Sequence, residues 1–169
     1  MIRQKITSRR DLAEELADVL DMASDEMSVF VDLTAQNVLL HVPLCIAGVS
    51  DAEADGHEVV YMESFGSSEA FDVMEDFARS RPDDKARPLF EALSRKRPFK
   101  MFRLALERTN QLQDWYAFKV DAYVGLAESR LEAEGIDVVD GKIVCADKSA
   151  ITIYEAEDAD DDDVGEDDE

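Results

Sequence analysis

The feature that most restricts the fold is a stretch of helical patterning between Ser67 and Gly135 that proline cuts twice. Apolar residues recur there at intervals of three and four, the period of a helix that buries one face. Arg81-Pro82 and Arg97-Pro98 interrupt the pattern, because proline lacks the N–H that an inner turn needs and drives the preceding residue out of helical geometry. A chain reversed in this way must pack its segments side by side. Ser67 and Ser68 suit the N-cap of the first segment, with Glu69 in the first turn and Phe71, Met74, Phe77 and Ala78 on its apolar face through about Ser80. Leu89, Phe90 and Leu93 supply the buried face of the second, with Pro88 in its first turn. The third begins at Pro98 and places Phe99, Phe102 and Leu106 on one face. The longest runs from Gln111 to Glu134, with Leu112, Trp115, Lys119, Ala122, Leu126 and Ala133 on one stripe and Tyr116 and Tyr123 beside it, until Gly135 stops it.

Strand patterns flank this helical block. Ahead of it, Ser8 and Asp11 resemble a capping box for a short amphipathic helix through Leu12, Leu16, Val19 and Leu20. MSVFVDL and VLLHVPL, joined across Thr34 to Asn37, then read as a β-hairpin. Gly48 to His57 reads as an exposed loop and EVVYM, from Glu58 to Met62, as a third strand. Beyond Gly135, IDVV, the Asp140-Gly141 turn pair, KIVCA and AITIYE imply two or three more strands. The expected fold is α+β: a helical segment of about four helices packed beside a small antiparallel sheet, in one domain over residues 1–154.

Charge separates the last fifteen residues from the rest. The chain has 40 acidic and 18 basic residues, a net charge of −22. Residues 155–169 hold 11 of those carboxylates and no base, so the body carries 29 acids against 18 bases. This low-complexity stretch has too few apolar groups to offset the entropy of ordering, and a disordered acidic C-terminal tail is expected. The acidity of the whole disfavours general attraction to nucleic acid or anionic membranes. With two distant cysteines, Cys45 and Cys145, no apolar signal segment in Met1 to Arg10 and no long apolar run, a cytoplasmic location is expected.

Three segments, SSEAFDVMEDFA, PLFEALSRKRPFKMFRLALER and LQDWYAFKVDAYVGLAESRLEAEGID, resemble an uncharacterised bacterial family catalogued as UPF-zero-one-five-eight. The echo is strongest in F-K-x-F-R-x-x-L at Phe99 to Leu106 and W-Y-x-F at Trp115 to Phe118, and the hairpin FVDLTAQNVLL is similar to the family's strand-turn-strand. Together these cover roughly residues 28–136. The sequence departs from the pattern at Ala35-Gln36-Asn37, where the family's turn has Gly, and at Arg97-Pro98, where it tends to have Gly and a small residue. The family has no assigned activity, so the resemblance implies a fold and no catalytic residue.

Chemistry-bearing motifs are sparse. His41 falls in a strand and His57 on the loop surface, and His41 with Cys45 is too few ligands for zinc. GxGxxG, P-loop, GxSxG and HExxH patterns do not occur. Glu69, Asp72, Glu75 and Asp76 lie at helical spacing and read as a solvated acidic face. No cofactor or metal is indicated. The informative asymmetry is Arg79 to Lys119, which has 11 bases and five acids. Within it Arg95, Lys96, Arg97, Lys100, Arg103 and Arg108 form a candidate binding patch, the last three sharing one helix flank, with Trp115 and Tyr116 as aromatic contacts. Trp115 sits on the apolar stripe and reads first as a core anchor. The bases either pair with acidic faces of the same fold, dock an acidic protein surface or the chain's own tail, or contact RNA or DNA phosphate with the tail as competitor. The expected function is a non-enzymatic cytoplasmic interaction or regulatory protein. A nucleic-acid-associated regulator is the alternative and an unrecognised carboxylate enzyme the third reading.

Overall fold

The computed structural model describes residues 5–41 and 56–146, together with the backbone of 152–154. The acidic tail, Cys45 and most of the Gly48–His57 segment lie outside the described residues. Five helices and two antiparallel sheets make up the described chain, in the α+β arrangement expected.

Helix α1, Arg9–Met22, starts at the capping box read from the sequence: Ser8 Oγ accepts the Asp11 amide, and Asp11 Oδ2 accepts the Ser8 amide. Thr7 adds hydroxyl and amide donors to the same carboxylate, and these bonds, led by the hydroxyl, hold the Asp11 pKa below the ordinary carboxylate value. Leu12, Leu16 and Leu20 are buried one turn apart and seat α1 in the core.

Strands β1, Ser28–Asp32, and β2, Asn37–His41, form the expected hairpin with Phe30 opposite Leu39. Strand β3, His57–Met62, pairs antiparallel with the other edge of β1. With the last strand, β6, Thr152–Tyr154, on the far side of β3, the order is β2-β1-β3-β6. His57 therefore begins a strand instead of lying on the loop surface. A second hairpin, β4, Ile136–Val139, and β5, Lys142–Cys145, turns through Asp140 and Gly141, both at positive φ.

The helical block divides at the expected breaks into α2, Ser67–Ser80, α3, Asp83–Leu93, α4, Pro98–Arg108, and α5, Leu112–Ala133. Several details differ from the sequence expectation, among them Phe90, expected on the buried face of α3, which is 40% exposed. Helix α2 is capped at Gly66, whose amide donates to Glu69, so Ser67 and Ser68 are already helical. Helix α3 starts at Asp83 because the Pro82 carbonyl accepts both the Lys85 and Ala86 amides, which puts Pro88 at the sixth helical position, past the first turn. On α5 the buried residues are Trp115, Tyr123, Val124, Ala127 and Leu131, whereas Ala133 is exposed and Leu112, Ala122 and Leu126 are half-buried. The face turned because α5 has two sets of neighbours, α2 and α4 near its start and α1 and β4 along the rest.

One buried cluster runs through all of these elements. Helix α1 joins its two halves, lying against α5, β2 and β4. On the helical side Phe77 is ringed edge-on by Trp115 at 5.4 Å, Phe118 at 5.3 Å and Phe102 at 6.5 Å between centroids.

Two side-chain amides fix how the parts meet. Gln111, at the start of α5, is fully buried. Its Nε2 donates to the Lys85 carbonyl at 3.1 Å and to Thr109 Oγ1 at 2.8 Å, and its Oε1 accepts Arg81 Nε at 2.9 Å. Gln36 performs a similar task between the hairpins: Oε1 accepts the Ile143 amide at 2.6 Å while Nε2 donates to the Ile143 and Leu33 carbonyls. Gln111→Ala empties a fully buried position and strips one partner from part-buried polar groups on three segments, and a loss of about 2 to 3 kcal/mol is expected. Urea unfolding checks this, and a change within about 0.5 kcal/mol contradicts the junction role.

Candidate functional site

The loop between α3 and α4 reads Ser94-Arg95-Lys96-Arg97, and it makes a tight helical hairpin. Residues 94–108 contain six bases and one acid, Glu107. All six bases are exposed. Arg103 Nε reaches Glu107 at 3.4 Å, whereas Arg95, Lys96, Arg97, Lys100 and Arg108 have no ion pair with another described residue. Of the other described bases of the segment, Arg79 pairs with Glu75 and Asp76, Arg81 with Asp114, and Lys119 with Asp21, while Lys85 and Arg87 on α3 have no ion pair with another described residue. The hairpin is thus where exposed cations without an ionic partner among the described residues are concentrated, five of them within fourteen residues.

Arg97 is also conformationally unusual. It precedes α4 with φ 58° and ψ 59°, in the left-handed region. Four described non-glycine residues have positive φ: Gln36, Arg97, Asn110 and Asp140. Asn and Asp tolerate that region well, but a long side chain there costs about 1 kcal/mol or more. Gln36 offsets the cost with its bonds to β5. The Arg97 side chain makes no capping bond, and its effect is to hold a third consecutive cation at the end of the hairpin.

The six bases do not share one face. Arg103 borders a groove between α4 and α5 of about 210 Å³, together with Phe99, Trp115, Tyr116, Lys119 and Leu106. Arg95 and Arg108 line a smaller cleft of about 100 Å³ on the α3 side. Lys96, Arg97 and Lys100 border neither. The expectation that Lys100, Arg103 and Arg108 lie on one flank fails because five residues of helix carry Arg108 about 140° around the axis from Arg103. Phe99, expected on the buried face, is 47% exposed, while Phe102, Ala105 and Leu106 form that face.

Trp115 and Tyr116 come to the same groove in different roles. Trp115 is 8% exposed and packs edge-on against Phe77 and Phe102, so it is the groove's floor and a core anchor. Tyr116 is 46% exposed and, with Phe99, leaves two aromatic rings at the surface beside Arg103. Lys119, one turn along, has its ammonium 5.1 Å from the Tyr123 ring centre and 3.1 Å from Asp21. Burial, reinforced by the charges of Asp21 and Glu69, raises the Tyr123 pKa above the ordinary phenol value.

Outside the hairpin the reactive side chains are engaged in structure. Asp32, almost completely buried, accepts the Thr34 and Ala35 amides through Oδ1 and meets His57 Nδ1 at 2.7 Å through Oδ2. This pair ties the first hairpin's turn to β3, and no sequence motif announces it because its members are 25 residues apart. The acidic run on α2 disperses: Glu69 binds Arg130, and Glu75 and Asp76 bind Arg79. Cys145 Sγ donates to the Glu134 carbonyl at 3.3 Å. Among the described residues no three His, Cys, Asp or Glu side chains converge on a metal position, and no helix is long and apolar enough to cross a membrane. No family model, curated protein or solved structure matches the chain.

Arg130 closes the other end of α5 against the loop ahead of α2. It donates to the Glu63 and Ser64 carbonyls and to both Glu69 oxygens, with its guanidinium 4.8 Å from the Phe65 ring centre. The Arg130 hydrogen bonds are the largest cause of a lowered Glu69 pKa. A carboxylate with its folded pKa depressed contributes stability above its unfolded pKa, here near 4.5, and loses it as pH falls through the folded value. Since the Glu69 side chain is 36% exposed, solvent screening limits the contribution. Glu69→Gln is expected to be less stable than the parent at pH 7 and to approach it at pH 3, measured as the urea midpoint. An equal deficit at both pH values contradicts the ionic contribution.

Proposed function

We propose that this chain is a non-enzymatic cytoplasmic binding protein, and that the α3–α4 hairpin and the adjoining α4–α5 groove hold an acidic, partly apolar segment of another protein. The observation that carries the proposal is the set of five hairpin cations without an ionic partner among the described residues of a chain with 40 carboxylates. The net charge of −22 does not oppose such a partner at contact, because the screening length is about 8 Å at physiological ionic strength. A carboxylate arriving at the hairpin is governed by Arg95, Lys96, Arg97 and Lys100 more than by distant acids.

The groove supplies the apolar half of the recognition. About 150 Å³ suffices for a benzene-sized ring, so a groove of about 210 Å³ accepts one aromatic or branched side chain between Phe99 and Tyr116. Arg103 then lies beside any neighbouring carboxylate. Single-stranded nucleic acid is the less favoured ligand, since Trp115 is committed to the core and only Tyr116 and Phe99 remain to stack.

Selection of displayed random peptides on the full chain tests the proposal. Enriched peptides are expected to combine one large apolar residue with two or more acids, and Phe99→Ser or Arg103→Glu is expected to remove the enrichment. Recovery of sequences without acids, or tight binding of a single-stranded oligonucleotide at physiological salt, sinks the reading. Arg97→Gly separates function from stability. It relieves the left-handed strain and should stabilise the fold by about 0.5 to 1 kcal/mol while weakening peptide binding. Tighter binding in that variant contradicts a role for the Arg97 cation.

A further inference from the structure

We infer that residues 155–169 occupy the hairpin cations of their own chain when no partner is bound. The inference deepens the proposed function, whose binding surface it shares. Three observations support it.

The first is complementarity: the segment carries 11 carboxylates and no base, and the hairpin offers Arg95, Lys96, Arg97 and Lys100 consecutively around its tip, exposed and unpaired among the described residues. The second is reach. Strand β6 holds Tyr154 against His57, so the acidic segment departs from the edge of the main sheet. Fifteen residues span up to about 50 Å when extended, against a diameter of roughly 40 Å for a compact body of this length. An extended segment therefore reaches most of the body's surface, and where it spans the path to the hairpin a tether this short gives an effective concentration on the order of millimolar. Contacts too weak to matter between separate molecules are then populated.

The third observation concerns what the segment lacks. Val164 is its only large aliphatic residue and it has no aromatic one, so it can meet the cations but fills the groove between Phe99 and Tyr116 poorly. A partner that supplies both carboxylates and a large apolar side chain makes an additional contact and displaces it. The acidic segment thus acts as a screen: it excludes ligands that offer charge alone and yields to one that also fills the groove. Specificity arises from a built-in competitor that matches half of the site.

Paramagnetic broadening in the full chain tests this. A nitroxide is attached at Val164→Cys in a chain carrying Cys45→Ser and Cys145→Ser, and amide signals are followed at two salt concentrations. At about 10 mM salt, where the screening length is about 30 Å, signals of residues 94–103 are expected to be lost, while those of the Gln36–Ile143 contact persist. At about 1 M salt, where that length is about 3 Å, the lost signals should return. They should also return at low salt in the exposed quadruple variant Arg95→Gln, Lys96→Gln, Arg97→Gln, Lys100→Gln. Unchanged hairpin signals at low salt overturn the inference, as does broadening that survives the quadruple substitution. Broadening seen only when label and observed nuclei reside on different copies overturns it too. Failure of the peptide selection with the broadening intact removes the partner and leaves the internal contact; the reverse result removes the competitor and leaves the binding site.

Discussion

The amide of Gln111 has no contact with water, and everything on the helical side of the molecule depends on where its hydrogen bonds go. The chain reverses three times between α2 and α5; the α3–α4 reversal is exposed, while the other two meet at a junction where part-buried polar groups need protein partners. Gln111 satisfies groups from three of these segments through one side chain: Arg81 after α2, the Lys85 carbonyl in α3 and the Thr109 hydroxyl after α4. Arg81 extends the junction outward, stacking 5.2 Å from the Phe77 ring centre and pairing with Asp114. An apolar residue at position 111 removes one partner from each of those groups, and a shorter polar one cannot span them. The α3–α4 hairpin is consequently held at its base by a polar clasp and along its length by Phe102 and Leu106, which leaves its tip free to carry charge.

Local signals were legible in the sequence wherever the physics is local. The capping box at Ser8, the breaks at Pro82 and Pro98 and the stop at Gly135 depend on a few neighbouring residues, and each lies where it was read. What depends on the partner surface was not legible. The buried face of α5 changes along its length because the helix meets two sets of neighbours, so a single stripe at fixed spacing describes it poorly. The Asp32–His57, Glu69–Arg130 and Gln36–Ile143 contacts join residues 25, 61 and 107 positions apart, and nothing in the intervening sequence marks them. Of the proposed site, composition identified the cations. It did not show that Arg103 lines one cleft, Arg95 and Arg108 another and the remaining three neither, nor that Trp115 is floor and Tyr116 is rim.

Gln36 and Arg97 illustrate how strain separates structure from function. Both adopt a left-handed backbone that glycine accepts freely. At Gln36 the side chain explains itself, because it pairs with the Ile143 peptide much as a neighbouring strand would and locks the two hairpins together. At Arg97 the fold gains no such bond. Strain that is matched by a contact is a structural choice; strain without one directs attention to what the side chain offers outward, and here that is positive charge at the most projecting part of a helical hairpin.

Charge sign and charge pairing give different answers about this protein, and pairing is the better guide. A net charge of −22 describes the field several screening lengths away, where it keeps polyanions and anionic surfaces at a distance. Recognition takes place within one screening length, where individual groups dominate. Among the bases of Arg79 to Lys119, Arg79, Arg81 and Lys119 are neutralised by adjacent acids. Around the hairpin tip the bases have no such partners among the described residues, and the charge gathered there is positive. On the proposed function, such a surface would select twice: the global charge would slow the approach of long polyanions, and the local cations would reward a short acidic segment that arrives with an apolar residue to place between Phe99 and Tyr116.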